Sequence, residues 1–301
     1  MKRYLSFVLL LSLLSGCSVF KPQPRNIFME EMTTSPSYKI SERIIPLSEP
    51  LLGLPYVDGG LGEGSNGQFD RDPLSRFDLF DCTTFVETVL AGAMSYSPSE
   101  FERNLIKLRY QHGNVDFITR NHFTSADWIP NNQWALRDIT QDIALDHTAF
   151  AETLIDKPAW YQAMQQDRLQ GVPDSIDKTA QLKALHEAGK SLPKIYVRTP
   201  YVPLTALNQP EVLDRIPSGS VISMVRPNYD VSQWIGTHLN ITHQAFAIRK
   251  QGKLFLRHAS LRYKKVVDEG FVEYFSQYDE TSTLKGFNVQ QPIERALVAG
   301  H

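Results

Sequence analysis

Cys82 lies where a reactive thiol would be expected. It opens a run, residues 81–94, whose apolar side chains recur at helical spacing, and Asp81 before it is a suitable N-cap. Cys82 is therefore predicted in the first helical turn, where the positive end of the helix dipole and free N–H groups favour a thiolate and could stabilise an oxyanion. A buried, structural cysteine remains the alternative.

Two of the eight histidines, His243 and His258, lie in predicted strands joined by a turn at Gln251-Gly252. A two-residue turn places His243 opposite Ser260 and puts both imidazoles on one face of the hairpin, whereas a three-residue loop would separate them. Such a pair could supply the base that a thiol nucleophile needs. Two structural histidines, or half of a metal site without a further nearby ligand, remain open.

The two faces of the predicted strand that contains His243 carry side chains of different size. Ala245 and Ala247 share the face of His243, while Phe246 and Ile248 occupy the other. Small side chains let another element approach closely, so we expect a helix to pack on the His243 face.

The remaining elements indicate an α+β fold. Residues 97–192 are mostly helical in pattern, with an irregular centre at 120–134, and residues 194–301 are mostly strands. The clearest strands are 221–225, 242–249 and 254–259. Helices followed by strands predict one α+β domain over residues 38–301.

The N-terminus indicates export and anchoring. Lys2 and Arg3 precede an apolar run that is too short to span a membrane, and Leu14-Ser15-Gly16-Cys17 resembles a bacterial lipobox. Residues 1–16 are therefore predicted to be a signal peptide, Cys17 to be acylated, and residues 17–37 to form a tether. Serine at position 18 favours the outer membrane.

Charge and composition restrict the possible partners. The formal net charge is −2 and no basic stretch stands out, so nucleic acid is not an expected partner. If Cys17 carries lipid, Cys82 has no partner for a disulfide in an oxidising compartment. This makes a functional thiol the more economical interpretation once its helical position is considered.

Four segments together resemble the NlpC-type papain-like cell-wall peptidases. They are residues 55–60 (PYVDGG), 80–85 (FDCTTF), 242–245 (THQA) and 258–260 (HAS). The second and fourth are similar to the N-acetylmuramoyl-L-alanine amidase-like branch, long catalogued as a domain of unknown function. The resemblance implies a papain-like fold in which a nucleophile-bearing helix packs on a small antiparallel sheet, with the helical middle zone as an elaboration.

The resemblance also implies roles for individual residues. Cys82 matches the nucleophile, His243 the general base and His258 the polar residue that orients the base. Tyr56 matches a tyrosine near the scissile bond, although it could equally be a turn aromatic that packs on the core. The segments around Arg120, His122 and Trp128 resemble a further stretch of the same branch. They suit a wall that binds substrate, or an ordinary packed loop.

The implied reaction is hydrolysis of an amide bond in peptidoglycan or its fragments, at the bond between N-acetylmuramic acid and L-alanine, without a cofactor or metal. Most of the superfamily has Ser-Gly after Asp-Cys, whereas this chain has Thr83-Thr84. That departure weakens the case for the specificity of a γ-D-glutamyl-diamino-acid endopeptidase, which is the nearest alternative enzyme. A non-catalytic wall-binding lipoprotein is the alternative outside enzymes.

Overall fold

The computed structural model describes residues 23–294. Helices and strands alternate along the chain in an α+β arrangement. The helices are α1 Pro24–Thr34, α2 Ile40–Ser48, α3 Cys82–Ala93, α4 Pro98–Arg109, α5 Ile129–Asn131, α6 Thr140–Ala144, α7 Lys157–Ala163, α8 Lys178–Lys190, α9 Pro210–Asp214, α10 Ser232–Ile235 and α11 Phe271–Phe275. The strands are β1 Leu136–Asp138, β2 Ala149–Asp156, β3 Lys194–Pro203, β4 Val221–Asp230, β5 His238–Lys250, β6 Lys253–Ser260, β7 Lys265–Gly270 and β8 Gly286–Pro292.

The strands form one antiparallel sheet in the order β2-β3-β8-β4-β5-β6-β7, with β1 paired to another part of β8. Strands β5 and β6 are joined by Gln251 and Gly252, which both have positive φ, at 49° and 79°. Lys250 pairs with Lys253 across them. The predicted two-residue turn is confirmed, and positive φ at both central residues is typical of a turn that matches the twist of a hairpin.

Helix α3 begins where its sequence predicts. The Asp81 side chain accepts a hydrogen bond from Thr84 N at 2.8 Å, and Thr84 Oγ1 accepts one from Asp81 N at 3.0 Å. This reciprocal capping box satisfies N–H groups that would otherwise lack partners at the helix start. It holds Cys82 as the first residue of the helix.

The two faces of the sheet are covered by different helices. Phe246 and Ile248 belong to the core cluster that contains α3, and the Phe246 ring lies 6.1 Å from that of Phe85. Ala245 and Ala247 lie in a second cluster with Phe271 of α11. A helix does pack on the small-residue face, as expected, but it is α11. The Cys82 helix packs on the opposite face.

The predicted tether is wrong for residues 24–34, which form α1 and pack against the domain. Phe28 and Met32 of this helix have no exposed surface and belong to the same cluster as α3. Gly92 of α3 leaves room for Phe28, because a Cβ there would lie 2.4 Å from the Phe28 ring. Two apolar residues one turn apart hold the helix, which is too few to produce a clear period in the sequence.

The middle zone is less helical than predicted. It contributes β1 and the eight-residue strand β2, which lies at one end of the sheet order and pairs along its whole length with β3. The longest helix of this zone is α8, Lys178–Lys190. Among residues 23–294, no helix has the length and apolar character needed to cross a membrane. The predicted signal peptide and Cys17 lie outside the described residues.

Candidate active site

The Cys82 thiol lies near the point where strands β5 and β6 stop pairing, which is called here the fork. Pairing of β5 with β6 runs from the turn to Phe246 and Arg257 and ends there. Ala247 N donates to Ser220 O on the β4 side, so by strand alternation the N–H of Gln244 points toward β6. Beyond the last pair, that N–H lies near the Cys82 thiol and acts to lower its pKa, against the larger effect of burial. The thiol therefore lies near the residue that follows His243.

The two histidines meet on one face of the hairpin, as predicted. His243 Nε2 and His258 Nδ1 are hydrogen-bonded at 2.7 Å, with the rings nearly perpendicular. His258 is 2% exposed, whereas His243 is partly exposed. Because Nε2 of His243 is bonded to the buried His258, the other ring nitrogen of His243, Nδ1, remains available to a reacting group.

Glu269 extends this pair and was missed in the sequence. Its Oε2 lies 3.4 Å from His258 Nε2, a close electrostatic contact without good hydrogen-bond geometry. Glu269 pairs with Leu256, so it lies on the same face as His258 and diagonally opposite it. Recognising residues 265–270 as a third strand would have revealed it. The Tyr274 ring packs edge-on against His258, 5.7 Å away.

Burial favours the neutral forms of both the thiol and the imidazole. It raises the pKa of Cys82 to about 12, and the negative charge of Asp81 adds to the shift. Burial, followed by the charge of His258, lowers the pKa of His243 to about 3. Burial of the thiol therefore opposes the thiolate-favouring effect that is expected from the helix N-terminus. Within residues 23–294, Cys82 Sγ makes no hydrogen bond to an imidazole.

Tyr56 lies beside the thiol. It forms a parallel bridge with Phe80, two residues before Cys82. Burial raises the pKa of its phenol, and the nearby Cys82 and Asp58 raise it further. The phenol therefore stays protonated at neutral pH, and the ring packs against the core cluster that contains α3, as in the alternative that the sequence leaves open.

A groove of about 320 Å³ opens beside Cys82 and is called here the Cys82 groove. Arg120 and His122, which the sequence suggests for a wall that binds substrate, both line it. Arg120 is held by Asp70 at 2.9 Å and by a shorter contact with Glu63, so most of its charge is already neutralised. Its lining also includes Asp58, Asp81, Thr83, Trp160, Asp167 and Arg168.

His122 is fixed as a neutral, stacked ring in this groove. Its Nε2 contacts Phe117 O at 2.8 Å, and its ring lies 4.6 Å from that of Phe117 and 4.7 Å from that of Trp160. Burial and the positive charge of Arg120 lower its pKa well below the ordinary value. This ring offers an aromatic edge to a ligand and not a positive charge.

Trp128 does not line the groove, which corrects the prediction that it contacts substrate. Its side chain has no exposed surface, and its indole N–H donates to Glu87 at 3.1 Å. Glu87 is also paired with Arg109 at 2.7 Å, so the tryptophan completes a buried polar cluster under α3. A dense run of polar and aromatic residues does not by itself distinguish a packed loop from a binding wall.

A second groove opens on the other side of the fork and is called here the His243 groove. It is lined by both histidines and by a set of charged and tyrosine side chains: Arg226, Tyr229, Arg262, Glu269, Tyr274 and Tyr278. Within residues 23–294, no group of three or more His, Cys, Asp or Glu side chains is arranged to hold a metal ion.

Comparison with known proteins identifies the family. Residues 46–283 match the model of the N-acetylmuramoyl-L-alanine amidase-like family. Among proteins with curated descriptions, none matches the chain. Solved structures do. A protein from Legionella pneumophila str. Philadelphia 1 is 37% identical with a TM-score of 0.84, and the match covers 90% of this chain and 93% of that one.

Two more distant structures have a similar fold. An N-acetylmuramoyl-L-alanine amidase from Bacteroides uniformis is 25% identical with a TM-score of 0.59, covering 84% of this chain and 98% of its own. A putative xylanase from Bacteroides fragilis is 26% identical with a TM-score of 0.58, covering 81% and 98%. The family model spans most of the domain and includes Cys82, His243 and His258, and on this ground the chain belongs to the N-acetylmuramoyl-L-alanine amidase-like family.

Proposed function

We propose that this protein is a cysteine hydrolase that cuts the amide bond between N-acetylmuramic acid and L-alanine in peptidoglycan or its fragments. One observation carries the proposal: Cys82 begins α3 near Gln244 of β5, whose N–H acts to lower the thiol pKa, and the preceding His243 is hydrogen-bonded to His258 at 2.7 Å. A nucleophile, a base and a group that orients the base are the parts that acyl transfer requires. Family membership supports the choice of bond.

In the proposed mechanism, neutral His243 removes the thiol proton as Cys82 Sγ attacks the lactyl carbonyl. Backbone N–H groups at the start of α3, together with the Tyr56 hydroxyl, stabilise the oxyanion. The C–N bond then breaks, and His243 returns the proton to the departing amine of L-alanine. Water, deprotonated by His243, attacks the thioester and releases the muramyl acid and the thiol. No cofactor takes part.

His258 and Glu269 act behind the base. By accepting a hydrogen bond from His243 Nε2–H at its own Nδ1, His258 selects the His243 tautomer whose Nδ1 can accept the thiol proton. The Glu269 carboxylate stabilises positive charge that spreads onto the histidine pair during proton transfer. His258 thus acts as the residue that orients the base in a papain-like site. We propose that this chain belongs to the papain-like superfamily.

We also propose that the protein is a lipoprotein of the bacterial outer membrane, anchored through Cys17. This rests on the lipobox-like segment before Cys17 and on Ser18 after it. The substrate would then be peptidoglycan or muropeptides in the periplasm.

Incubation with an N-acetylmuramyl tripeptide tests the activity, with products identified by mass spectrometry. Release of a peptide that begins with free L-alanine is expected, and Cys82→Ala should abolish it. An intact muramyl dipeptide plus a free diamino acid would establish the endopeptidase alternative. Binding of the tripeptide without any product would favour the wall-binding alternative.

A further inference from the structure

Arg226 is a cation held in place without a carboxylate partner. Its Nε donates to Thr242 Oγ1 at 3.2 Å, and its Nη1 donates to Thr283 Oγ1. The guanidinium lies 5.4 Å from the centre of the Tyr229 ring and 5.7 Å from that of Tyr278. Two hydroxyls and two aromatic rings therefore fix the side chain in one orientation.

The charge of this guanidinium is uncompensated in the described part of the chain. No carboxylate between residues 23 and 294 lies within ion-pair distance of Arg226, and its Nη2 has no hydrogen-bond partner there. Arg226 is nevertheless half-buried. A half-buried cation that is held rigidly, with free donors, suits an anion that binds in the groove, because arginine presents a fork that matches a carboxylate.

The position of Arg226 relates it to the leaving peptide of the proposed reaction. It lines the His243 groove, and its partner Thr242 adjoins His243 in β5. The departing amine must lie at His243 to receive its proton, so the leaving peptide extends into this groove. In a muramyl peptide, the first anionic group beyond the scissile amide is the α-carboxylate of D-glutamate, which is linked to the next residue through its γ-carboxyl.

We propose that Arg226 binds the α-carboxylate of the D-glutamyl residue in the leaving peptide, so that the site prefers this carboxylate to its amidated form. The proposal rests on the function proposed above and assigns the His243 groove to the leaving group. Arg226 then determines specificity without taking part in proton transfer.

Two probes that differ at one group test the assignment: N-acetylmuramyl-L-alanyl-D-glutamate and its α-carboxamide. For the wild-type protein, kcat/KM should be about 10- to 100-fold higher for the carboxylate, the range that hydrogen bonds to charged groups provide. Arg226→Gln should bring this ratio close to one. Arg262→Gln removes the same charge elsewhere in the groove and should keep the ratio, so it controls for the general field.

Binding separates this proposal from the proposed activity. If the wild-type protein hydrolyses neither probe, the proposed function fails. Calorimetric titration of the Cys82→Ala protein with the same two probes then still decides the role of Arg226. Tighter binding of the carboxylate, lost in Cys82→Ala/Arg226→Gln, supports the assignment. Equal affinity for the two probes, or a ratio that survives Arg226→Gln or disappears equally in Arg262→Gln, overturns it.

Discussion

At the scale of single residues, the histidine pair and Glu269 form a chain whose members should contribute unequally. His258→Ala removes the group that orients His243 and should lower kcat by about 10²- to 10⁴-fold, the range of general acid–base contributions. His258→Gln keeps a hydrogen-bonding side chain and should retain more activity than His258→Ala. Steady-state kinetics on a muramyl peptide measures both, and circular dichroism checks the fold. Equal activity of His258→Ala and wild type would remove His258 from the mechanism.

Glu269 should act through His258 only. Glu269→Gln keeps the size of the side chain and removes its charge, so it should lower kcat about tenfold, less than His258→Ala, and leave KM nearly unchanged. Glu273→Gln removes an exposed carboxylate from neighbouring α11 and serves as the matched control. The pH profile of kcat should shift in Glu269→Gln and not in Glu273→Gln. Identical profiles for the two variants would assign Glu269 a structural role.

The partly buried Cys82 thiol should react slowly with alkylating agents at neutral pH. Because the pKa of Cys82 is raised to about 12, the thiolate fraction should increase about tenfold for each pH unit through pH 7 to 9. Iodoacetamide kinetics on the Cys17→Ser protein, in which Cys82 is the only thiol, measures this dependence. A rate that reaches a plateau below pH 8 would instead indicate a thiolate–imidazolium pair in the free protein.

Local patterns predict the position of Cys82 and the histidine pair because one capping box and one two-residue turn determine them. The position of Glu269 depends on a four-residue connection, residues 261–264, in which Lys264 has a positive φ that no glycine signals. The burial of Trp128 depends on a partner 41 residues away, Glu87. Contacts of that range leave no period in the sequence.

At the scale of elements, α1 belongs to the hydrophobic core, and its loss should be measurable. Phe28→Ala should lower the free energy of unfolding by about 3–5 kcal/mol, the usual cost of removing a buried phenylalanine. Ile27→Ala in the same helix changes a side chain that is 38% exposed and should cost about 1 kcal/mol or less. Urea denaturation of both proteins provides the comparison. Equal midpoints for Phe28→Ala and wild type would show that α1 does not stabilise the domain and would support the predicted tether over residues 24–34.

The strands of the hairpin could be predicted, but β2 could not, for a reason visible in its side chains. Ala151, Thr153 and Ile155 are buried, while Leu154 between them is 49% exposed. An apolar residue on the outer face removes the alternation that identifies a half-buried strand. Its pairing partners in β3 lie 38 to 52 positions further along the chain.

At the scale of the whole molecule, the lipid anchor proposed at Cys17 would determine where the domain works. Cys17→Ser should move the protein from the membrane fraction to the soluble periplasmic fraction, because no acyl chains can then be attached. Immunoblots of fractionated cells that express wild type or variant measure this distribution. Wild-type protein that is already soluble would contradict the lipoprotein proposal.

The packing of α1 also limits how far an anchored domain can extend. Helix α1 begins at Pro24, so residues 17–23 would connect an acyl group on Cys17 to this helix. A fully extended chain of this length spans roughly 25 Å. An anchored protein would therefore keep the start of α1 within about that distance of the membrane surface, and its turnover of a peptidoglycan layer would depend on the distance between that layer and the membrane. Muropeptides released by other enzymes reach the site by diffusion, without that limit.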